Sequence, residues 1–308
     1  MTPPLERNGV LIDDGFAEAF PMKATRIVIT AHNLEWARHA AVSATGFATS
    51  VIACGCEAGI ERELGPSETP DGRPGLSVLI FSMSGKELAK QVERRVGQCV
   101  LTCPTTAVFA GIAEGEAIAL GKNLRFFGDG WQISKVIGGV RYWRIPVMDG
   151  EFVAQETTAV VKAVGGGNLL LLCIDTDSAL NVAAAAVRAM RALPSVVMPF
   201  PGGVVRSGSK VGSKYAALRA STNDAFCPSL QGLSEKSELT PQMRCVLEIV
   251  IDGLTEADVG AAMRVGMQAG IALGAAGGLL RISAGNYGGK LGPFHFHLHK
   301  LLADGAAP

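Results

Sequence analysis

Ala24-Thr25-Arg26-Ile27-Val28-Ile29-Thr30-Ala31 is a short run rich in β-branched residues, and it predicts a strand. It leads into an alanine-rich stretch, Leu34 to Phe47, whose apolar residues recur at three- and four-residue spacing and predict a helix. A second extended run, Ser50 to Cys56, follows. The same order comes again with Leu76 to Phe81, a helix from Lys86 to about Val96, and an apolar run near Val100 to Ala110. The second half of the chain repeats the pattern. Asn168 to Ile174 leads through a helix at Ala179 to Leu193 into Ser195 to Pro201, and Val246 to Ile251 leads through Glu256 to Leu273 into Leu279 to Ala284.

Helix-start residues agree with these boundaries. Thr30 or Asn33 precedes the first helix, Ser84 the second, Asp177 or Ser178 the third and Thr255 the fourth, with Asp258 at the capping-box offset. The expected class is therefore α+β, with two ferredoxin-like (βαββαβ) sandwich lobes related by an internal pseudo-repeat, over residues 1–150 and 151–308. Each sheet would carry its helices on one face and need cover on the other.

At 308 residues the chain can bury one large core or two in contact without disulfides or structural metals. Its 28 basic and 28 acidic residues leave no electrostatic footprint for nucleic acid or an anionic membrane. No uninterrupted apolar run approaches a bilayer span, and the start MTPPLERNGVLIDDG lacks a signal layout, so a cytoplasmic location is expected. The 7 cysteines lie in apolar runs or near proline turns, as reduced thiols do.

The loops carry the less ordinary chemistry. Glu68-Thr69-Pro70-Asp71-Gly72-Arg73-Pro74-Gly75 packs turn residues around Arg73, which suits either anion recognition or a plain surface turn. Residues 199–214 combine glycines with Arg206, Ser207, Ser209, Lys210 and Lys214. The order Gly203-x4-Gly208-Ser209-Lys210 inverts the nucleotide P-loop, so a cradle for a carboxylate, amide or other polar group is the better functional expectation, beside that of a flexible hairpin. Gly165-Gly166-Gly167-Asn168 and Ser283 to Lys290 fail as dinucleotide fingerprints. They suggest close backbone packing, with Asn286 and Tyr287 able to hydrogen-bond a ligand.

In Val246-Leu247-Glu248-Ile249-Val250-Ile251-Asp252, period-two alternation sets Glu248 on the face opposite Leu247, Ile249 and Ile251. A carboxylate in such a place is costly unless paired, and desolvation lifts its pKa toward the range useful for proton shuttling. Glu248 is thus the leading general acid/base candidate, the alternatives being a solvated edge glutamate or half of an ion pair. The tail Phe294-His295-Phe296-His297-Leu298-His299 would put three imidazoles on one face of a strand, yet no nearby Cys or acidic cluster completes a tetrahedral set, so no metal is expected.

These segments resemble one family, formylmethanofuran:tetrahydromethanopterin formyltransferase, over nearly the whole chain. The similar words include Phe16-Ala17-Glu18-Ala19-Phe20-Pro21, Thr69 to Gly75, Gly97 to Thr106, Phe126 to Gly130, the Pro-Phe-Pro-Gly-Gly and Ser-Gly-Ser-Lys-Val-Gly segments, Glu248 to Gly253 and Ser283 to Gly289. The resemblance implies reversible formyl transfer between N5 of tetrahydromethanopterin and the amine of methanofuran or a bacterial analogue. Both carriers would be substrates, with no tightly bound cofactor. It also implies two ferredoxin-like lobes per subunit and a homotetramer with clefts at subunit contacts. Glu248 would then be the catalytic acid/base, with Ser207, Ser209, Lys210, Arg73, Asn286 and Tyr287 contacting substrate.

Charge balance and the segment Gly130 to Lys135 look more like the methylotrophic bacterial branch than the acidic archaeal members. In that branch the protein is the formyltransferase subunit of a formyltransferase/hydrolase complex, which would supply a hydrolase and further subunits as partners. Two rival classes stand beside this one. A non-catalytic ferredoxin-like scaffold subunit would have disrupted Glu248 or Ser207 to Lys210, and a metal-binding protein would use His295, His297 and His299.

Overall fold

Two βαββαβ modules make up the core of the computed structural model, which describes residues 5–218, 220–290 and 292–303. The first consists of β1 (Phe16–Thr30), α1 (Leu34–Thr45), β2 (Glu57–Leu64), β3 (Gly75–Ser82), α2 (Gly85–Arg95) and β4 (Ala107–Ala110). The second consists of β5 (Thr157–Cys173), α3 (Thr176–Arg191), β6 (Val196–Val197), β7 (Cys245–Gly253), α4 (Glu256–Leu273) and β8 (Leu279–Ser283). The first has strand order β2-β3-β1-β4 and the second β6-β7-β5-β8, antiparallel at every step. With parallel additions at residues 153–154 on β4 and 11–12 on β8, the class is mixed α+β.

The chain divides into two compact units, residues 22–163 and residues up to 21 together with those from 164 on. This differs from the expected division at 150, because the N-terminal segment serves the second module. Val10–Ile12 extends that module's sheet beside β8, with Ile12 opposite Ile282, and residues 16–19 of β1 pair with β9 (Phe294–His297).

Each module hides its helix-facing strand positions. In the 22–163 unit Ile27, Ile29, Val78 and Ile80 pack with Ala37, Ala41, Leu88 and Val92. In the other unit Leu169, Leu171, Ile249 and Ile251 pack with Val182, Ala186, Val259 and Met263. α3 and α4 approach closely because α4 presents Gly266 there, where a Cβ would lie 1.9 Å from Met190 Cε. Caps fall at Asn33, Ser84 and Thr255 as the sequence predicts, while the third is Asp175 rather than Asp177 or Ser178.

Residues 50–56 correct a sequence expectation. They form a helical turn, Val51–Cys54, instead of a strand, and the strand comes later, at 57–64. Ser50 Oγ accepts from Ile52 N–H and Glu57 Oε1 from Val51 N–H, satisfying donors that a strand would have to pair elsewhere. Gly55 then closes the turn at φ +76°, where a Cβ would also meet Gln91 Nε2 at 2.5 Å. The strands at 133–137, 140–147 and 150–155 have no counterpart in the expected elements. Among the described residues no helix is long and apolar enough to cross a membrane.

Ile80 and Ile251 are fully buried at corresponding places in the two modules. Ile80→Ala and Ile251→Ala should each cost about 2–5 kcal/mol, seen as an earlier transition in urea denaturation.

Candidate active site

β7 turns Leu247, Ile249 and Ile251 into the helix-backed core, and strand alternation sends Glu248 to the opposite face. Its cross-strand neighbour on β5 is Leu170, itself buried with Leu172 and Met243 on that face. On its other side Val205 exchanges backbone hydrogen bonds with Glu248, N–H to O at 2.7 and 2.9 Å, and is buried too. Glu248 is thus half-buried with an aliphatic residue beside it on each adjoining strand. Among the described residues no lysine or arginine pairs with it, and desolvation raises its pKa from 4.5 to about 7.

The Tyr287 phenol lies in the same surroundings. Its pKa is raised by burial, then by the negative charge of Glu248 and of Glu18. Its ring sits 6.0 Å from that of Phe20, centroid to centroid. The two glycine-rich segments meet here, as close backbone packing predicts. Asn168 Oδ1 accepts from Gly285 N–H at 2.6 Å and Asn168 Nδ2 donates to Gly285 O at 3.1 Å. Glu18 and Asn168 are absent from the sequence-derived candidates. Glu18 stands in Phe16-Ala17-Glu18-Ala19-Phe20, and its partners in the 287–292 loop are too distant in sequence for local reading to find.

The remaining candidates are distributed differently. Asn286 donates to Phe16 O on β1 and accepts from Gly288 N–H within its own turn. Ser207 and Ser209 are exposed. Lys210, on the hairpin of Ser209–Val211 and Ala220–Thr222, is ion-paired with Asp224, which also accepts from Ser234 Oγ. Arg73 belongs to the 22–163 unit. Its guanidinium binds Asp71 Oδ2 at 2.8 Å, Thr105 O at 2.5 Å and Thr30 Oγ1 at 3.1 Å. It is thus held in one pose. Two open clefts of about 470 and 650 Å³ also lie in that unit, and no candidate residue lines either.

The histidine tail departs from the expected strand. His299 lies in the helix Leu298–Ala303, and its Nε2 is 2.9 Å from Ile12 O, while His295 Nε2 is 3.0 Å from Gly292 O. Among the described residues no three His, Cys, Asp or Glu side chains gather as a metal site. What the Glu248 surroundings can do is move protons. A carboxyl poised near neutrality populates both of its forms there, so it can accept and return one proton within a single reaction.

Comparison with known proteins gives two family models in succession. The model described as formylmethanofuran-tetrahydromethanopterin formyltransferase matches residues 5–147, and that for its proximal lobe matches residues 150–301. A formylmethanofuran–tetrahydromethanopterin formyltransferase of Methylococcus capsulatus is 69% identical, the match covering 96% of this chain and 99% of the relative. A subunit of the formyltransferase/hydrolase complex of Methylorubrum extorquens is 52% identical, over 97% and 98%. The crystal structure of that complex with methylofuran superposes with a TM-score of 0.95 at 50% identity, covering 97% of this chain and 99% of the matched one. The Methanosarcina barkeri formyltransferase does so at 0.92 and 47%, covering 96% and 100%.

Folded Glu248 keeps its proton to about pH 7, against 4.5 ordinarily. Between those values the native state binds the extra proton, so this group's contribution to stability declines as pH rises through that window. Thermal unfolding followed from pH 4 to pH 8 should show that decline in the wild type and its absence in Glu248→Gln.

Proposed function

The chain belongs to the formylmethanofuran–tetrahydromethanopterin formyltransferase family, and on that footing we propose how its residues carry the transfer. It is a formyltransferase, moving a formyl group between N5 of tetrahydromethanopterin and the amine of methanofuran or a bacterial analogue such as methylofuran. The observation that carries the mechanism is the desolvated Glu248, with which no lysine or arginine pairs among the described residues. The amine nitrogen attacks the formyl carbon and a tetrahedral oxyanion forms. As the new C–N bond closes, the attacking nitrogen gives its proton to the Glu248 carboxylate. The carboxylic acid then returns that proton to the departing nitrogen as the old C–N bond breaks. Protons and electrons balance, and the carbon keeps its oxidation state, so the two carriers suffice as reactants and no tightly bound cofactor enters.

Tyr287 supplies an O–H donor beside Glu248, which supports its place among the substrate contacts; preorganised donors of this kind stabilise a developing oxyanion. Asn286, Ser207, Ser209 and Lys210 are assigned to polar parts of the carriers, Lys210 by exchanging Asp224 for an anionic group. Arg73, in the 22–163 unit, is assigned to a polar group of a carrier, supported by its fixed guanidinium.

The modules are read as ferredoxin-like lobes split near residue 150, a reading supported by their strand order and by the separate family models. A cytoplasmic location accords with the free cysteines, as in a reducing compartment. For partners we assign a homotetramer and, as for the Methylorubrum relative, a hydrolase and other subunits of a formyltransferase/hydrolase complex. The support is an apolar surface in the 22–163 unit: Trp131, Ile133, Val136 and Ile137 are exposed, three of them on a strand that pairs on one side only, with Val140–Val147, among the described residues.

Mixing formyl-tetrahydromethanopterin with a methanofuran-type amine should give an absorbance change that Glu248→Gln slows by about 10²-fold or more. Equal rates would remove Glu248 from the mechanism. Failure of the wild type to transfer would return the scaffold reading. In sedimentation velocity Val136→Lys should lower the oligomeric mass of the wild type; an unchanged mass would put the contact elsewhere.

A further inference from the structure

We propose that Glu18 is a positioning residue of the transfer site: it grips the loop that carries Tyr287 and thereby sets the phenol beside Glu248. This rests on the assignment of the transfer site around Glu248 and adds a residue to it.

Glu18 is fully buried in β1 between Ala17 and Ala19, both also fully buried. A carboxylate in such a place needs donors for its oxygens. Three of them come from one segment of the chain. Glu18 Oε2 accepts from the backbone N–H groups of Tyr287 at 2.7 Å and Gly289 at 2.9 Å, and Oε1 accepts from Gly292 N–H at 2.6 Å. Charge-assisted bonds of this length are stronger than neutral ones, and three on one group leave the loop little freedom.

The loop is shaped for that grip. Gly289 has φ +69°, and at Gly292 a Cβ would lie 2.2 Å from Ala19 O, so the backbone reaches the carboxylate only as glycine there. At the loop's entry Asn168 clamps Gly285 from both sides of the peptide. Ser283, just before it, is opposite Leu170 on β5, and Leu170 is opposite Glu248 on β7. Ser283, Leu170 and Glu248 thus form one row across the sheet, so the loop departs two strands away from Glu248. With its backbone N–H on Glu18 and its ring against Phe20, Tyr287 is fixed at both ends.

A clamp that serves only folding would change stability and nothing else. A positioning clamp also governs the interaction between Tyr287 and Glu248, which can be measured without substrate. The Tyr287 phenol titration is followed as the absorbance difference between each protein and its Tyr287→Phe counterpart. In the wild-type background Glu248→Gln removes a negative charge near the phenol and should lower its titration point. In the Glu18→Gln background, where an amide replaces an acceptor-only carboxylate against three N–H donors, Glu248→Gln should leave the titration point where it is. A Glu248 effect of equal size in both backgrounds overturns the proposal. Because no substrate is involved, this outcome is distinct from failure of the formyl-transfer reading.

In the transfer assay Glu18→Gln should lower kcat by about 10²-fold with KM for either carrier within about threefold, and adding Tyr287→Phe should cause no further loss. Additive losses overturn the proposal. Should Glu18→Gln fail to fold, Gly288→Ala takes its place. Gly288 has φ +81° with open space around a Cβ, so the substitution strains only the gripped loop. It should likewise uncouple Tyr287 from Glu248, and retained coupling overturns the proposal.

Discussion

A carboxylate inside a sheet has two ways to exist, and this protein uses both within one unit. Glu248 lies between Leu170 and Val205 on the adjoining strands, no lysine or arginine pairs with it among the described residues, and desolvation raises its pKa to about 7. Glu18 is buried more completely and is surrounded by backbone donors instead. The difference lies in what each strand meets. β7 offers Glu248 an aliphatic neighbour on each side, whereas β1 brings Glu18 under a glycine-rich loop whose N–H groups have no sheet partner. Desolvation of Glu248 gives a group that can exchange a proton, and solvation of Glu18 by the loop gives a fixed frame around it. The chemistry needs the first, and its geometry depends on the second.

Aligning the modules at their helix caps shows why only one of them carries this group. Glu248 lies seven residues before Thr255, the cap of α4, and Ser77 lies seven residues before Ser84, the cap of α2. On the neighbouring strands Leu170 precedes Asp175 by five residues and Val28 precedes Asn33 by five. Leu170 is paired with Glu248 and Val28 with Ser77, so the alignment is consistent across two strands. The first module therefore holds a hydroxyl where the second holds the carboxyl. Ser77 Oγ donates to Glu61 Oε2, and Glu61 binds the Arg26 guanidinium through two bonds of 2.7 Å. A carboxylate also exists in the first module, one strand over, but there it is paired with an arginine. The same backbone thus hosts an arginine-paired carboxylate in one copy and, in the other, one that no lysine or arginine pairs among the described residues; the proposed chemistry uses the latter.

How much of this was legible in the sequence depended on whether the deciding interactions are local. The helix at 256–273 coincides with its expected limits because Thr255 and Asp258 cap it and its apolar spacing is continuous. The placing of Glu248 opposite Leu247, Ile249 and Ile251 could be read because alternation is a local property of one strand. The strand expected at 50–56 failed because Ser50, Gly55 and Glu57 make a capped turn that outweighs a short apolar run. Strands 133–137 and 140–147 have mixed, largely exposed faces, so alternation gave no signal. Glu18 was hidden for another reason. Its partners lie 269 to 274 residues later, and nothing near it in the chain states that a glycine loop will cover it.

The pair of carboxylates also bears on reversibility. Formyl transfer between two nitrogen carriers is one reaction run in either direction, and the same group must accept a proton from whichever nitrogen attacks. A carboxyl at its ordinary pKa would be a weak base throughout, and one paired with an arginine weaker still. Raised to about 7, Glu248 populates its acid and base forms comparably at neutral pH, so either is on hand whichever nitrogen attacks. Such poise needs surroundings that do not change as substrates come and go. The aliphatic neighbours supply part of that constancy, and the loop held on Glu18 supplies the rest, since the Tyr287, Gly289 and Gly292 N–H groups it binds are backbone groups that carry no net charge and cannot rotate away.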